Sequence, residues 1–267
     1  MDKEVIHELL KNKIKKIARL SDAILPDFDH DGIHKLRVEV KKLRAFLRLI
    51  DTDKSEPEIK IPKKFKRLYH IVGAIRDAQL EQKKIDGWKV NLPLYTGNLN
   101  LNISRQKEEW KKHYSKKVIA RLKEKIDNHT ITNLKPEVLK IFFDERIENI
   151  EAFSRKRSHS NNQIHAVRKQ VKDMLYVAKF AEKKWIKGYE KIAGFSVAEL
   201  DKLSAVIGDY NDGRIMLEHL TSFSSTAMTD DEKNAITNTC DEEMDRLLVE
   251  KKKVLAKVKK FAISSAK

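Results

Sequence analysis

Five residues in one short stretch carry most of the chemistry this chain offers. His34, Arg37, Lys41, Arg44 and Arg48 recur at intervals of three and four within IHKLRVEVKKLRAFLRLI, residues 33–50. On an α-helix that spacing makes a single row, roughly 21 Å long at about 1.5 Å rise per residue. Arginine presents planar, forked donors to phosphate oxygens, and lysine presents a point charge. An imidazole beside phosphates gains proton affinity and can become a third kind of cation. Like charges at these spacings repel by a few tenths of a kcal/mol per pair. Lys35 and Lys42 add charge nearby, and Glu39 alone opposes it. The unmixed row therefore suits a linear polyanion. The alternative is a basic surface helix whose charges pair with carboxylates on its neighbours.

The row has an echo. His165, Arg168, Lys172 and Lys179 repeat it at an offset of 131 residues, with Asp173 at the place of Lys42 and Leu175 at that of Arg44. A second match aligns Leu68–Asp77 with Leu203–Asp212 at an offset of 135, pairing Gly73 with Gly208, Arg76 with Asn211, and Asp77 with Asp212. A helical glycine costs up to about 1 kcal/mol relative to alanine, so close packing is its expected purpose. Asp77 and Asp212 are expected to pair with cations of the rows and hold them in place. Matched segments at nearly constant offset point to an internal duplication.

These rows need helices to carry them. Ile33, Leu36, Val40, Leu43, Leu47 and Ile50 form an apolar seam one residue before the first row, and Ile164, Val167, Val171, Met174 and Ala178 form its counterpart. The same periodicity predicts eight helices, at about 3–20, 33–50, 62–88, 103–126, 136–154, 162–187, 196–220 and 230–262. NLPLYTGNLN, residues 91–100, reads as a loop. No stretch alternates long enough to predict a sheet. The expected fold is all-α: two four-helix bundles, residues 1–130 and 131–267, related by a pseudo-twofold.

The run H-x-x-R-V-x-x-K-K-L-R from His34, its echo at His165, and the G-x-x-R-D and G-x-x-N-D elements resemble the CHAD domain family, the conserved histidine α-helical domain. The resemblance spans nearly the whole chain. It implies two four-helix bundles and binding of inorganic polyphosphate by basic residues lining a central surface. It implies His34, Arg37, Lys41, Lys42, Arg44 and Arg76 as binding residues in the first half, and His165, Arg168 and Lys172 in the second. Arg48 and Lys179 join them from the row pattern alone. Asp173 and Leu175 depart from a basic pattern and thin the second row.

Composition bounds the remaining choices. The 267 residues hold 56 Lys and Arg against 40 Asp and Glu, a formal net charge of +16, with 8 Gly, 5 Pro and one Cys. That excludes a disulfide scaffold, a collagen-like chain and a Gly-rich disordered one. No apolar run approaches the roughly 20 residues of a membrane span. The charged N-terminal segment and the lone Cys240 lead to an expected cytoplasmic location, with association to polyphosphate granules. No P-loop, G-x-G-x-x-G or H-E-x-x-H occurs, and Arg and Lys around both histidines would repel a metal ion. The expectation is a non-enzymatic binder of inorganic polyphosphate with no cofactor, no metal and no obligate protein partner. A sequence-independent nucleic-acid binder using the same surface is the alternative. Aromatic residues, at 7%, are few for the stacking platforms of single-strand binders.

Overall fold

A computed structural model describes residues 1–53, 58–88, 90–129, 131–186, 189–223 and 228–265. Parts of the predicted breaks at 51–58 and 221–230, the predicted helix end at 187 and boundary residue 130 lie outside them. The described residues form α1 (Lys3–Ala23), α2 (His30–Ile50), α3 (Lys63–Trp88), α4 (Pro93–His113), α5 (Lys116–Asp127), α6 (Pro136–Ser154), α7 (Asn161–Lys184), α8 (Glu190–Ala193), α9 (Val197–Ser222) and α10 (Asp230–Ser265), with no strand among them. The chain is all-α, as the periodicity predicts.

Among the described residues ten helices replace the expected eight, and two of the differences have tertiary causes. The segment read as a loop at 91–100 is helical from Pro93. Glu232 of α10 accepts the backbone N–H groups of Leu94 and Tyr95 at 3.0 and 3.1 Å, capping α4 from 138 and 137 residues away. The predicted helix 103–126 breaks at Tyr114, which is extended. Its hydroxyl donates to Asp22 at 2.6 Å, and its ring stacks on buried Trp110 at 5.3 Å. The four-residue α8 adds the remaining helix. A smaller difference is that α2 begins at His30, because Asp29 accepts from the Gly32 N–H at 2.6 Å.

Helix α2 packs on α1 and α3, α3 packs on α4 and α5, and α5 returns to α1. In the other half α6 packs on α7 and α10, and α9 packs on α7 and α10. The halves meet where α2 lies against α7. There the Phe46 and Phe180 rings sit edge to face, 4.7 Å apart, a geometry worth about 0.5–1.5 kcal/mol beyond area burial. The chain start is tied to the middle of the chain, because the Met1 ammonium donates to Leu134 O and Leu134 N donates to Met1 O.

Candidate functional site

Burial of the two seams fixes the rotation of the helices that carry the rows. Ile33, Leu36, Val40, Leu43 and Leu47 are buried on α2, as are Ile164, Val167, Val171, Met174 and Ala178 on α7. Helix α7 starts at a capping box in which Ser160 and Gln163 satisfy each other's backbone N–H groups. A residue one position after a seam position is turned by about 100°, so both rows flank the contact between α2 and α7.

The centres of the rows meet around Lys41. Its ammonium is pushed down to about 8, first by burial and then by Arg37, Arg168 and Lys172, with Asp212 opposing. Lys172 is likewise lowered, by burial and then Arg168, against Asp201. Arg76 is lowered by burial and by Arg37, while its Nη1 donates to His30 O at 3.4 Å. Six side chains from three helices, namely His34, Arg37, Lys41, Arg76, Arg168 and Lys172, thus share one electrostatic neighbourhood. Among the described residues, no carboxylate lies within 4 Å of a charged nitrogen of Arg37, Lys41, Arg44 or Lys172.

Both histidines stand at the edge of this cluster as neutral groups near pH 7. His34, though exposed, is lowered first by desolvation and then by Arg76 and Lys41. His165 is lowered by burial, against the help of Asn211. His165 Nδ1 lies 3.0 Å from Asn211 Oδ1, so Nδ1 carries the proton there.

Other expected site residues are engaged elsewhere. Lys42 donates to buried Glu39, three residues earlier on α2, and Lys16 of α1 donates to the same carboxylate, both at 3.0 Å. Burial acts to raise the Glu39 pKa, but these two bonds and Lys13 outweigh it and hold the carboxyl below its ordinary range. Arg48 Nη1 donates to both oxygens of Asp173, at 2.7 and 2.8 Å, joining α2 to α7. Lys179 donates to Asp201 at 2.6 Å. Asp212 stands 3.6 Å from Arg168, as its expected pairing requires. Asp77 has no cation within 4 Å among the described residues. Burial raises its pKa, Arg37 opposes and Asp212 adds to the rise.

The CHAD domain model matches residues 8–221 of the chain. The chain belongs to the CHAD domain family. The crystal structure of the CHAD domain from the plant Ricinus communis aligns with a TM-score of 0.66 at 16% identity, covering 96% of this chain and 90% of that one. At that identity the likeness is one of fold. No curated protein matches the chain in sequence. In this CHAD domain the family motif thus places Arg37, Lys41, Arg168 and Lys172 together and turns Lys42 away. Sequence reasoning passed over Tyr69, whose ring lies under Arg37 and Arg44, with the guanidinium carbons 5.1 and 5.5 Å from its centroid. Its signal was an aromatic residue one helical turn before Gly73, in a segment that otherwise reads as core.

Proposed function

We propose that this CHAD domain binds inorganic polyphosphate, without catalysis, at the basic cluster where α2 meets α7. The observation that carries the reading is the convergence of Arg37, Lys41 and Lys172 with no carboxylate within 4 Å among the described residues, around an ammonium whose pKa falls to about 8. Gathering like charges around a half-buried amine is unfavourable in the free protein. A chain with one negative charge per short repeat relieves it along the whole row, and its forked contacts suit the guanidinia. Arg44, Arg76 and Arg168 extend the surface, and His34 and His165 supply polar contacts. Lys42, Arg48 and Lys179 then act in holding the helices. Two helical halves, 1–130 and 131–267, arising by duplication, account for the paired rows. A cytoplasmic protein drawn to polyphosphate granules fits this reading.

Titration of long-chain polyphosphate at one fixed ionic strength tests it, followed by duplex DNA at equal phosphate concentration. The expected result is saturable polyphosphate binding that the duplex does not displace. Displacement by the duplex would favour the nucleic-acid alternative, and phosphate release in the presence of Mg²⁺ would overturn the non-catalytic assignment. Salt weakens binding of any polyanion by counterion release, so salt dependence does not discriminate.

A further inference from the structure

We propose that Tyr69 and Gly73 of α3 are positioning residues, forming a seat that aims the Arg37 and Arg44 guanidinia at the bound polyanion. The proposal rests on the polyphosphate reading of this site and deepens it. Tyr69 and Gly73 are one helical turn apart and share a face of α3. Arg37 and Arg44, two turns apart on α2, both lie over the Tyr69 ring, at 5.1 and 5.5 Å from its centroid. The negative face of the ring attracts both cations and offsets part of their mutual repulsion. Gly73 supplies the space. A Cβ built there would fall far inside van der Waals contact of Arg37 Nη1 and 3.4 Å from Cζ. The guanidinium faces a cleft of about 450 Å³ that Tyr69, Gly73 and Asp77 also line.

The matched positions of the second half form no such seat. Ser204 stands at the place of Tyr69 and Leu175 at that of Arg44, and both are buried. A Cβ on Gly208 would meet nothing within 4 Å. Two glycines at matched positions therefore differ in what they leave room for. An arginine fixed before the ligand arrives loses less freedom on binding, so the seat contributes to affinity through preorganisation.

The test uses the intact domain and five proteins: wild type, Gly73→Ala, Gly208→Ala, Tyr69→Phe and Tyr69→Leu. Polyphosphate affinity is measured at one ionic strength, Tm is followed by calorimetry, and Arg Nε–H resonances are recorded by NMR without ligand. Gly73→Ala should weaken binding about fivefold to tenfold, yet hold or raise Tm, because alanine is the better helix former and the displaced group is a flexible side-chain end. Gly208→Ala should change affinity less than about twofold. Tyr69→Leu should lose about as much as Gly73→Ala, and Tyr69→Phe should restore binding, because it keeps the ring face. Ring-shifted Arg37 and Arg44 resonances are expected in wild type and Tyr69→Phe, and not in Tyr69→Leu. Full affinity in Gly73→Ala, or equal losses in Tyr69→Leu and Tyr69→Phe, would overturn the seat. A wild type with ring-shifted resonances that fails to bind polyphosphate would instead overturn the ligand assignment. A wild type that binds without those shifts would overturn the seat alone.

Discussion

The two halves of this CHAD domain carry rows of cations at matched spacing and surround them differently. In the first half Arg37 and Arg44 rest on Tyr69 with no carboxylate within 4 Å among the described residues. In the second half the residue matching Arg44 is Leu175, buried in the core. Asp173, which replaces a lysine, reaches across to hold Arg48 of the first half. Lys179 is held by Asp201, and Arg168 has Asp212 3.6 Å away. Matched spacing therefore produces matched helices without producing matched sites. Which cations stay free depends on where carboxylates lie, on other elements for Arg48, Arg168 and Lys179 and on α2 itself for Lys42.

That asymmetry can be broken most directly by charge reversal. Arg37→Glu/Arg44→Glu should weaken polyphosphate binding by about a hundredfold, or roughly 2.7 kcal/mol, and Arg168→Glu/Lys172→Glu by about tenfold. Equal losses in a fixed-salt titration would remove the difference between the halves. Next in size is Asp173→Asn, which breaks the link between α2 and α7. Burial raises the Asp173 pKa against the pull of Arg48, Arg146 and Arg44. Because the Arg48 side chain is 40% exposed, the stability cost is about 1–2 kcal/mol in denaturant unfolding. Freed Arg48 should at the same time tighten polyphosphate binding about twofold to threefold. Weaker binding in this variant would show that Asp173 supports the site by holding the helices and subtracts nothing from it.

The sequence made some of this plain and left the rest hidden, for physical reasons. Seam positions at helical spacing specify the helices, because burying one face decides both helix and rotation. Ser160 marks the start of α7 by local capping, whereas Asp29 starts α2 at His30, ahead of the expected residue 33. The start of α4 is capped by Glu232, and the break at Tyr114 is held by Asp22. Both partners are distant in sequence, so neither boundary was legible. The same holds for Arg48, whose partner lies 125 residues away. Lys42 belongs to the family motif, and its partner Glu39 stands three residues earlier on the same helix, so that pair was legible. Only the arrival of Lys16 at the same carboxylate depends on where α1 packs. Gly73 and Gly208 are equivalent in the sequence and separate once Arg37 is placed beside Gly73.

A pH series sharpens the comparison at its centre. Free Lys41 loses its proton near pH 8, whereas bound phosphates would hold the proton on. Affinity should therefore fall as pH rises through 8, with proton uptake on binding. Lys41→Arg should flatten the profile. The stability effect has the opposite sign. An unfolded lysine keeps its proton to about 10.5, so between these values the unfolded chain binds the extra proton and this group favours the fold more as pH rises. The smallest effect is expected within the second row. Lys179→Ala should cost less affinity than Lys172→Ala, because the Lys179 ammonium already rests on Asp201 at a half-exposed pair. A larger loss for Lys179→Ala would return it to the site.

The central claim is that placement of charge, beyond its total, makes the site. Arg37→Glu/Arg44→Glu and Lys252→Glu/Lys259→Glu, the latter on the exposed face of α10, lower the net charge equally. Polyphosphate affinity measured for both at one ionic strength separates placement from total. The account predicts a loss of about a hundredfold for the first pair and less than about threefold for the second. Equal losses in the two would contradict it.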